Sequence, residues 1–296
     1  MYANVRGTRL YFDVDGMGLV PDGDRMEPRP PLFLLHGGPG GDHSSFKTSV
    51  NGLADVAQLI YLDHRGSGRS AAAQAEDCTL DENIQDLEAV RSHLGLEQIS
   101  VLGSSYGGMV AQGYAIRYPE HMERLVLVAT APSFRFLEEA RRIVQARGTP
   151  DQIRVCEMLW SAGFTSQEQL YEYYKTMGPM YSTAFDSDKF EAGWHRGIRN
   201  FAQLNSGFGG FLREFDYIDQ LVQIGCPTLV LAGALDWICP PSQSRLIADR
   251  ISDVRLEIFE NSAHSIAQDE PEKFMDLVRG FLDKSSALPS VDSLAE

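Results

Sequence analysis

Short apolar runs alternate with helical periodicities along most of this chain. Residues 32–35, 56–62, 99–102, 125–128, 227–232 and 255–259 read as strands. The first, Leu32-Phe33-Leu34-Leu35, has no polar face at all, which suits a strand covered on both sides. Between the strands lie amphipathic helices. In residues 80–94, Ile84, Leu87, Val90 and Leu94 fall at helical spacing behind the candidate caps Thr79 and Asp81. Pro240 and Pro241 open a helix over 242–249, and Pro271 starts a last one carrying Phe274, Leu277, Val278 and Phe281. Strand and helix in alternation predict an α/β fold with a mostly parallel sheet and right-handed crossovers. Residues 5–14, alternating around Gly7, predict an antiparallel hairpin at the sheet edge. Residues 16–31, rich in Gly, Pro and Asp, read as a loop, and 285–296 as a frayed polar tail.

The pattern changes after Ala131. From 132 to 225 no strand pattern occurs, and helices are predicted over 136–146, 150–161, 167–176 and 189–204. More than half of the chain's aromatic residues fall there. A segment of that length between two sheet strands predicts a helical lid (132–225) inserted into a catalytic core made of 1–131 and 226–296. The Gly207–Gly210 turn reads as a flexible point.

A chain of 296 residues buries enough surface for one such domain with an insertion. Its formal net charge of −15 argues against nucleic acid or an anionic membrane as partner, since both call for a basic patch. A small-molecule substrate is the expected partner; oligomeric state is not encoded in any pattern here. Cys78, Cys156, Cys226 and Cys239 lie far apart without metal-ligand spacing, so free buried thiols and no metal or cofactor are expected. Residues 1–10 lack an apolar run behind a basic segment, and no stretch is long and apolar enough to span a bilayer, giving a cytoplasmic enzyme as the expectation.

The chemistry concentrates at strand ends. The apolar run 99–102 leads into Gly103-Ser104-Ser105-Tyr106-Gly107 and at once into a helical pattern, the context of a nucleophile elbow that would lift Ser105 out for attack. Asp236 follows the strand at 227–232 and His264 the strand at 255–259. Serine, acid and histidine in that order are the order of α/β-hydrolases. Such a triad needs Ser105 to attack, His264 to move the proton and Asp236 to orient the ring. The glycine-rich run His36-Gly37-Gly38-Pro39-Gly40-Gly41 supplies free backbone N–H groups, so Gly38 and Tyr106 are the candidate oxyanion donors. Gly37, Trp237, Trp160, Trp194 and Phe208 are candidate pocket residues. His36, His64 and Arg65 read as residues that tie neighbouring loops together. A serine at the elbow argues against epoxide hydrolases and dehalogenases, which place a carboxylate there.

Together, His36-Gly37-Gly38-Pro39-Gly40, Asp63-His64-Arg65-Gly66-Ser67-Gly68-Arg69-Ser70 and Gly103-Ser104-Ser105-Tyr106-Gly107-Gly108 resemble the proline iminopeptidase family of α/β-hydrolases. The resemblance implies the α/β-hydrolase fold with a helical lid, and removal of an N-terminal residue, often proline, from short peptides. It also implies lid glutamates for the substrate's amino group and, in some members, a glutamate directly after the triad aspartate. Here that position is Trp237. The lid carboxylates open to the role are Glu157, Glu191 and Glu214. An ammonium buried without a carboxylate is costly, so the residues favour a serine hydrolase acting on a small ester, lactone or amide with an apolar portion. Proline iminopeptidase activity is the alternative, and a non-catalytic ligand receptor on the same fold a more distant one.

Overall fold

A computed structural model describes residues 1–283; the polar tail expected from Ser285 lies outside the described residues. The chain enters through β1 (Tyr2–Val5) and β2 (Thr8–Asp15), an antiparallel hairpin turning on Arg6 and Gly7, both at positive φ. The following residues are not a plain loop. They form a second hairpin, β3 (Leu19–Asp22) and β4 (Arg25–Pro28), turning near Gly23. Because neither face of it is buried, no hydrophobic alternation marked it in the sequence.

Next come β5 (Pro31–Leu35), the short helix α1 (Ser44–Ser49), β6 (Gln58–Leu62), α2 (Leu80–His93), β7 (Ile99–Ser104), α3 (Tyr106–Arg117) and β8 (Met122–Val128). Thr79 caps α2 by accepting the Glu82 N–H at 3.2 Å. Five helices follow: α4 (Phe136–Arg147), α5 (Pro150–Trp160), α6 (Gln167–Tyr181), α7 (Ser187–Trp194) and α8 (Phe201–Gly209). The single helix expected over 189–204 is two, because the chain breaks at residues 195–200 and Asn200 restarts it as the cap of α8. The chain then returns through β9 (Thr228–Gly233), α9 (Pro241–Ala248), β10 (Val254–Phe259), α10 (Ile266–Asp269) and α11 (Pro271–Leu282).

Eight strands form one sheet in the order β1-β2-β6-β5-β7-β8-β9-β10, antiparallel at β1, β2 and β6 and parallel from β6 onward. Burial on both faces follows from the period of two along each strand. Phe33, Leu35, Val101, Leu125 and Val230 face one hydrophobic core with α2, α3 and the five-helix segment. Leu32, Leu34, Leu102, Val126 and Leu229 face the other, closed by α1 and α11. Every parallel strand therefore ends at one edge of the sheet, where an open α/β sheet forms its crevice. The four cysteines are buried and free. Among the described residues no helix is long and apolar enough to cross a membrane.

Candidate active site

Ser105 sits between the last residue of β7 and the first of α3, with φ 55° and ψ −119°. That backbone is strained for a residue with a side chain, and its neighbours hold it there. The Ser105 N–H donates to the Val128 carbonyl at 2.9 Å, and the Thr130 hydroxyl donates to the Ser105 carbonyl at 2.7 Å. Glycines permit the tight passage from strand to helix. A Cβ on Gly103 would lie 2.3 Å from the Gly107 carbonyl oxygen, and one on Gly107 only 1.9 Å from that of Leu35. Ser105 thus stands partly exposed at the N-terminus of α3, as does Ser104 before it, while residues 99–103 of β7 and the first turns of α3 are buried.

Past the end of β9, Asp236 is almost fully buried. One of its oxygens accepts from the backbone N–H groups of Ile238 (2.9 Å) and Cys239 (3.0 Å). The other lies 2.7 Å from Nδ1 of His264. The turns after β9 and β10 are stitched together by Leu235 N–H donating to the Ser262 carbonyl at 3.0 Å, and a Cβ on Gly233 would meet the Ala263 carbonyl oxygen at 2.0 Å. Since an ionised carboxylate only accepts, Nδ1 carries the ring proton, and Nε2 is left as the basic nitrogen. Ser105 and His264 are both walls of one cavity of about 370 Å³.

The loop after β5 closes a third side. A Cβ built on Gly37 would sit 3.3 Å from Cβ of Ser105, so this backbone runs directly beside the serine. Gly38 has φ 132°, open to glycine almost alone. Tyr106 opens α3, so its N–H is among the first-turn donors that lack an intrahelical acceptor. Its ring points the other way, into the core, where its hydroxyl accepts from Asn83 at 2.8 Å.

Behind the loop stands a polar scaffold. His36 donates from Nδ1 to the Gly37 carbonyl (2.8 Å) and accepts the His64 N–H on Nε2 (3.2 Å). Burial lowers the pKa of both histidines, that of His64 strongly. Asp63 accepts from the N–H and Nδ1 of His43 (2.9 and 2.7 Å) and from the Arg69 N–H (2.8 Å). Burial opposes ionisation of Asp63, but these contacts together hold its pKa below the usual carboxylate value. Arg65 forks onto Asp86 of α2 at 2.8 and 2.6 Å. His36 and Arg65 tie neighbouring elements through their side chains, as their setting in the sequence suggested, whereas His64 does so only through its backbone N–H, its ring packing edge-on against His36 and Tyr106.

The helical segment supplies the remaining wall. Leu159, Leu170, Tyr173, Tyr174, Tyr181, Phe185, Phe190, Leu204 and Phe208 line the cavity together with one cation, Arg199. Two of the five residues singled out for the pocket, Gly37 and Phe208, are there; the three tryptophans are not. Trp237 is fully buried, edge-on to Trp160 and Tyr181 at 6.1 and 5.3 Å between centroids. Trp160 borders a separate shallow hollow with Arg141, Gln145 and Glu157. Trp194 packs against Tyr171 and Phe190 and carries the Arg199 guanidinium over its face at 4.2 Å. The turn read as flexible is packed instead, for a Cβ on Gly207 would fall 2.4 Å from the Pro39 ring. Small residues there bring α8 against the glycine-rich loop. Tyr181 is placed next to His264, with its carbonyl accepting the Ser265 N–H at 2.8 Å and its ring 5.6 Å from the imidazole. Arg199 and the α6 tyrosines had no local signal in the sequence beyond aromatic content.

The three glutamates considered for an ammonium contact are elsewhere. Glu157 faces the outer hollow, Glu191 pairs with Lys175 at 2.7 Å on the surface, and Glu214 is exposed. Asp42 is the carboxylate among the cavity walls, and both its oxygens are engaged: one by the Ser44 N–H and hydroxyl, the other by the Ile198 N–H (2.8 Å) and Arg69 (3.1 Å).

A family model described as alpha/beta hydrolase fold matches residues 30–271. Proline iminopeptidase PfmaB of Pestalotiopsis fici is 31% identical over 96% of this chain and 99% of its own. A proline iminopeptidase of Clostridioides difficile is 30% identical over 95% of this chain and 97% of its own. Among solved structures, a proline iminopeptidase of Mycobacterium smegmatis superposes with a TM-score of 0.75 at 24% identity, over 95% of this chain and 97% of that one, a likeness of fold.

Proposed function

This chain belongs to the proline iminopeptidase-like family of α/β-hydrolases, and from that membership we propose that it is a serine hydrolase cleaving a small carboxylic ester, lactone or amide through an acyl-enzyme. The Ser105 hydroxyl attacks the substrate carbonyl while Nε2 of His264 takes its proton. Collapse of the tetrahedral intermediate returns that proton to the leaving oxygen or nitrogen, and water then attacks the acyl-serine with the same base. Asp236 holds the Nδ1–H tautomer and stabilises the imidazolium. The N–H groups of Tyr106 and Gly38 receive the oxyanion, aided by the positive end of α3. Helices α4 to α8 act as the lid, shaping the acyl and leaving-group subsites and excluding water.

One observation carries the reading: a buried carboxylate 2.7 Å from the imidazole of a histidine that shares a cavity with a strained serine at a helix N-terminus. The test is labelling with a fluorophosphonate probe. Stoichiometric labelling that disappears in Ser105→Ala is the expected result; a folded wild-type protein that takes up no label overturns the assignment.

Two relatives that are proline iminopeptidases favour a second reading, proline iminopeptidase activity. Against it stands the cavity: among the described residues that line it the one carboxylate, Asp42, is already bonded at both oxygens, and there is no glutamate to meet a substrate ammonium. Short 4-nitrophenyl esters are therefore expected to turn over faster than proline 4-nitroanilide. The reverse order establishes the peptidase.

A further inference from the structure

Among the side chains around the cavity, Arg199 is the one whose chemistry the hydrolytic steps leave unused. It lies in the break between α7 and α8, opposite in character to the aromatic residues beside it. One of its five N–H donors reaches the Trp194 carbonyl at 2.9 Å, with the Gly197 carbonyl at the limit of contact, 3.5 Å. Its central carbon lies over the Trp194 ring, and this contact together with the Trp194 carbonyl holds the guanidinium in place. Among the described residues no carboxylate forms an ion pair with it. Asp42 favours its charged form at a distance but is tied to Ser44, Ile198 and Arg69. Desolvation of this half-buried guanidinium lowers its pKa, opposed by Tyr174 and then by Asp42, so its charge is held at a cost that no paired carboxylate offsets.

A cation held at that cost, preoriented, with donors to spare and no counter-charge, matches a bidentate acceptor. We infer that Arg199 is a specificity residue that binds an anionic group, a carboxylate, on the substrate, so that the preferred substrates are esters or amides of small carboxylate-bearing molecules. The inference rests on the serine hydrolase reading for its assay and goes beyond it in naming the substrate class. It also accounts for why no free carboxylate is found among the described residues lining the cavity: the site suits charge of the opposite sign. The chain's net charge of −15 repels anions at long range, so selectivity for them has to come from a contact inside the cavity.

The test compares pairs of equal length. On the acyl side, 4-nitrophenyl hemiesters of succinate, glutarate and adipate are set against the butyrate, valerate and hexanoate esters. On the leaving-group side, 4-acetoxybenzoate is set against phenyl acetate. The readout is the ratio of kcat/KM for the charged and neutral members, in which any general loss of activity cancels. Wild type is expected to favour the charged member of at least one series by about tenfold or more, the size of one hydrogen-bonded contact to a charged group. Arg199→Ala brings that ratio to one or below through KM, Arg199→Lys restores part of it, and added salt reduces it in wild type. A wild-type ratio at or below one in both series overturns the inference, as does a preference that survives in Arg199→Ala. Loss of fluorophosphonate labelling in the wild type would instead sink the serine mechanism, so the two failures are told apart.

Discussion

Asp236→Asn separates the architecture of the site from its chemistry. In the wild type one carboxylate oxygen accepts two backbone N–H groups at 2.9 and 3.0 Å, and the other receives the His264 Nδ1 proton at 2.7 Å. An asparagine keeps the first set with its amide oxygen, so the turn from 236 to 239 is retained. Its amide nitrogen then faces Nδ1 as a donor. To accept that bond the ring moves its proton to Nε2, the nitrogen that deprotonates Ser105 in the mechanism proposed above, and that base is lost while every atom stays close to its place. The same exchange in other Ser-His-Asp sites lowers turnover by about 10⁴-fold, which corresponds to about 5 kcal/mol in the barrier. Stability is expected to change much less. Exchanging charge-assisted for neutral hydrogen bonds costs about 1–2 kcal/mol, or a few degrees in Tm for a chain of this size. Hydrolysis of 4-nitrophenyl butyrate, the rate of fluorophosphonate labelling and thermal melting are measured side by side. A variant that melts near the wild-type temperature and keeps more than a tenth of its kcat/KM refutes the assignment of His264 as a base oriented by Asp236.

Three further outcomes test the scaffold. Gly107→Ala places a methyl 1.9 Å from the Leu35 carbonyl oxygen, and is expected to lower Tm by about 10 °C or to prevent soluble expression, because backbone has to move; a melt within 2 °C of wild type contradicts the close approach of α3 and β5. Asp86→Ala removes the buried carboxylate that Arg65 and Arg6 bond at 2.6 and 2.7 Å and leaves Glu82 as their remaining ion-pair partner, at 3.5 and 3.0 Å; it is expected to cost about 1–2 kcal/mol by urea unfolding, a partly exposed pair counting for less than a fully buried one. Burial holds the folded-state pKa of His36 and His64 below 6.5, so below about pH 6.5 the unfolded chain binds more protons than the folded one and stability drops as the pH is lowered. The slope for the pair reaches at most about 2.7 kcal/mol per pH unit. Asp63, whose folded pKa is depressed, loses its contribution only at more acid pH. Urea midpoints at pH 7.0 and 5.5 check the sign, and a His64→Gln variant is expected to show the smaller difference.

The sheet was legible in the sequence because its determinants are local. A run such as Leu32-Phe33-Leu34-Leu35 is apolar at every position because it meets both cores. Glycines at 103 and 107 are required by contacts within the same strand-turn-helix unit. The positions of Ser105, Asp236 and His264 were readable for the same reason: each follows a strand, and parallel strands bring their ends to one edge whatever the intervening length. Elements that bury little escaped. The hairpin of β3 and β4 has no buried position to set a period, and α1 buries a single residue, Phe46.

The wall of the cavity was not legible, and the tryptophans show why. Trp237 follows Asp236 directly, yet the backbone bonds that aim the carboxylate at His264 turn the next side chain into the core against Trp160. Tyr181 reaches the imidazole from a different helix, through a single backbone bond to Ser265. Helical periodicity separates a buried face from an exposed one, but it does not separate a side chain that fills the lid's interior from one that faces substrate, since both are apolar and both are covered. That distinction depends on how α6, α7 and α8 cross, and it is fixed by contacts remote in sequence, among them Gly207 against Pro39 and Gly40 against the Asn200 carbonyl. A polar side chain in such a wall is more informative than its aromatic neighbours, because burial without a partner has a cost that packing does not recover. On the inference drawn above, Arg199, half-buried and without a paired carboxylate among the described residues, therefore says more about the substrate than the aromatic residues around it.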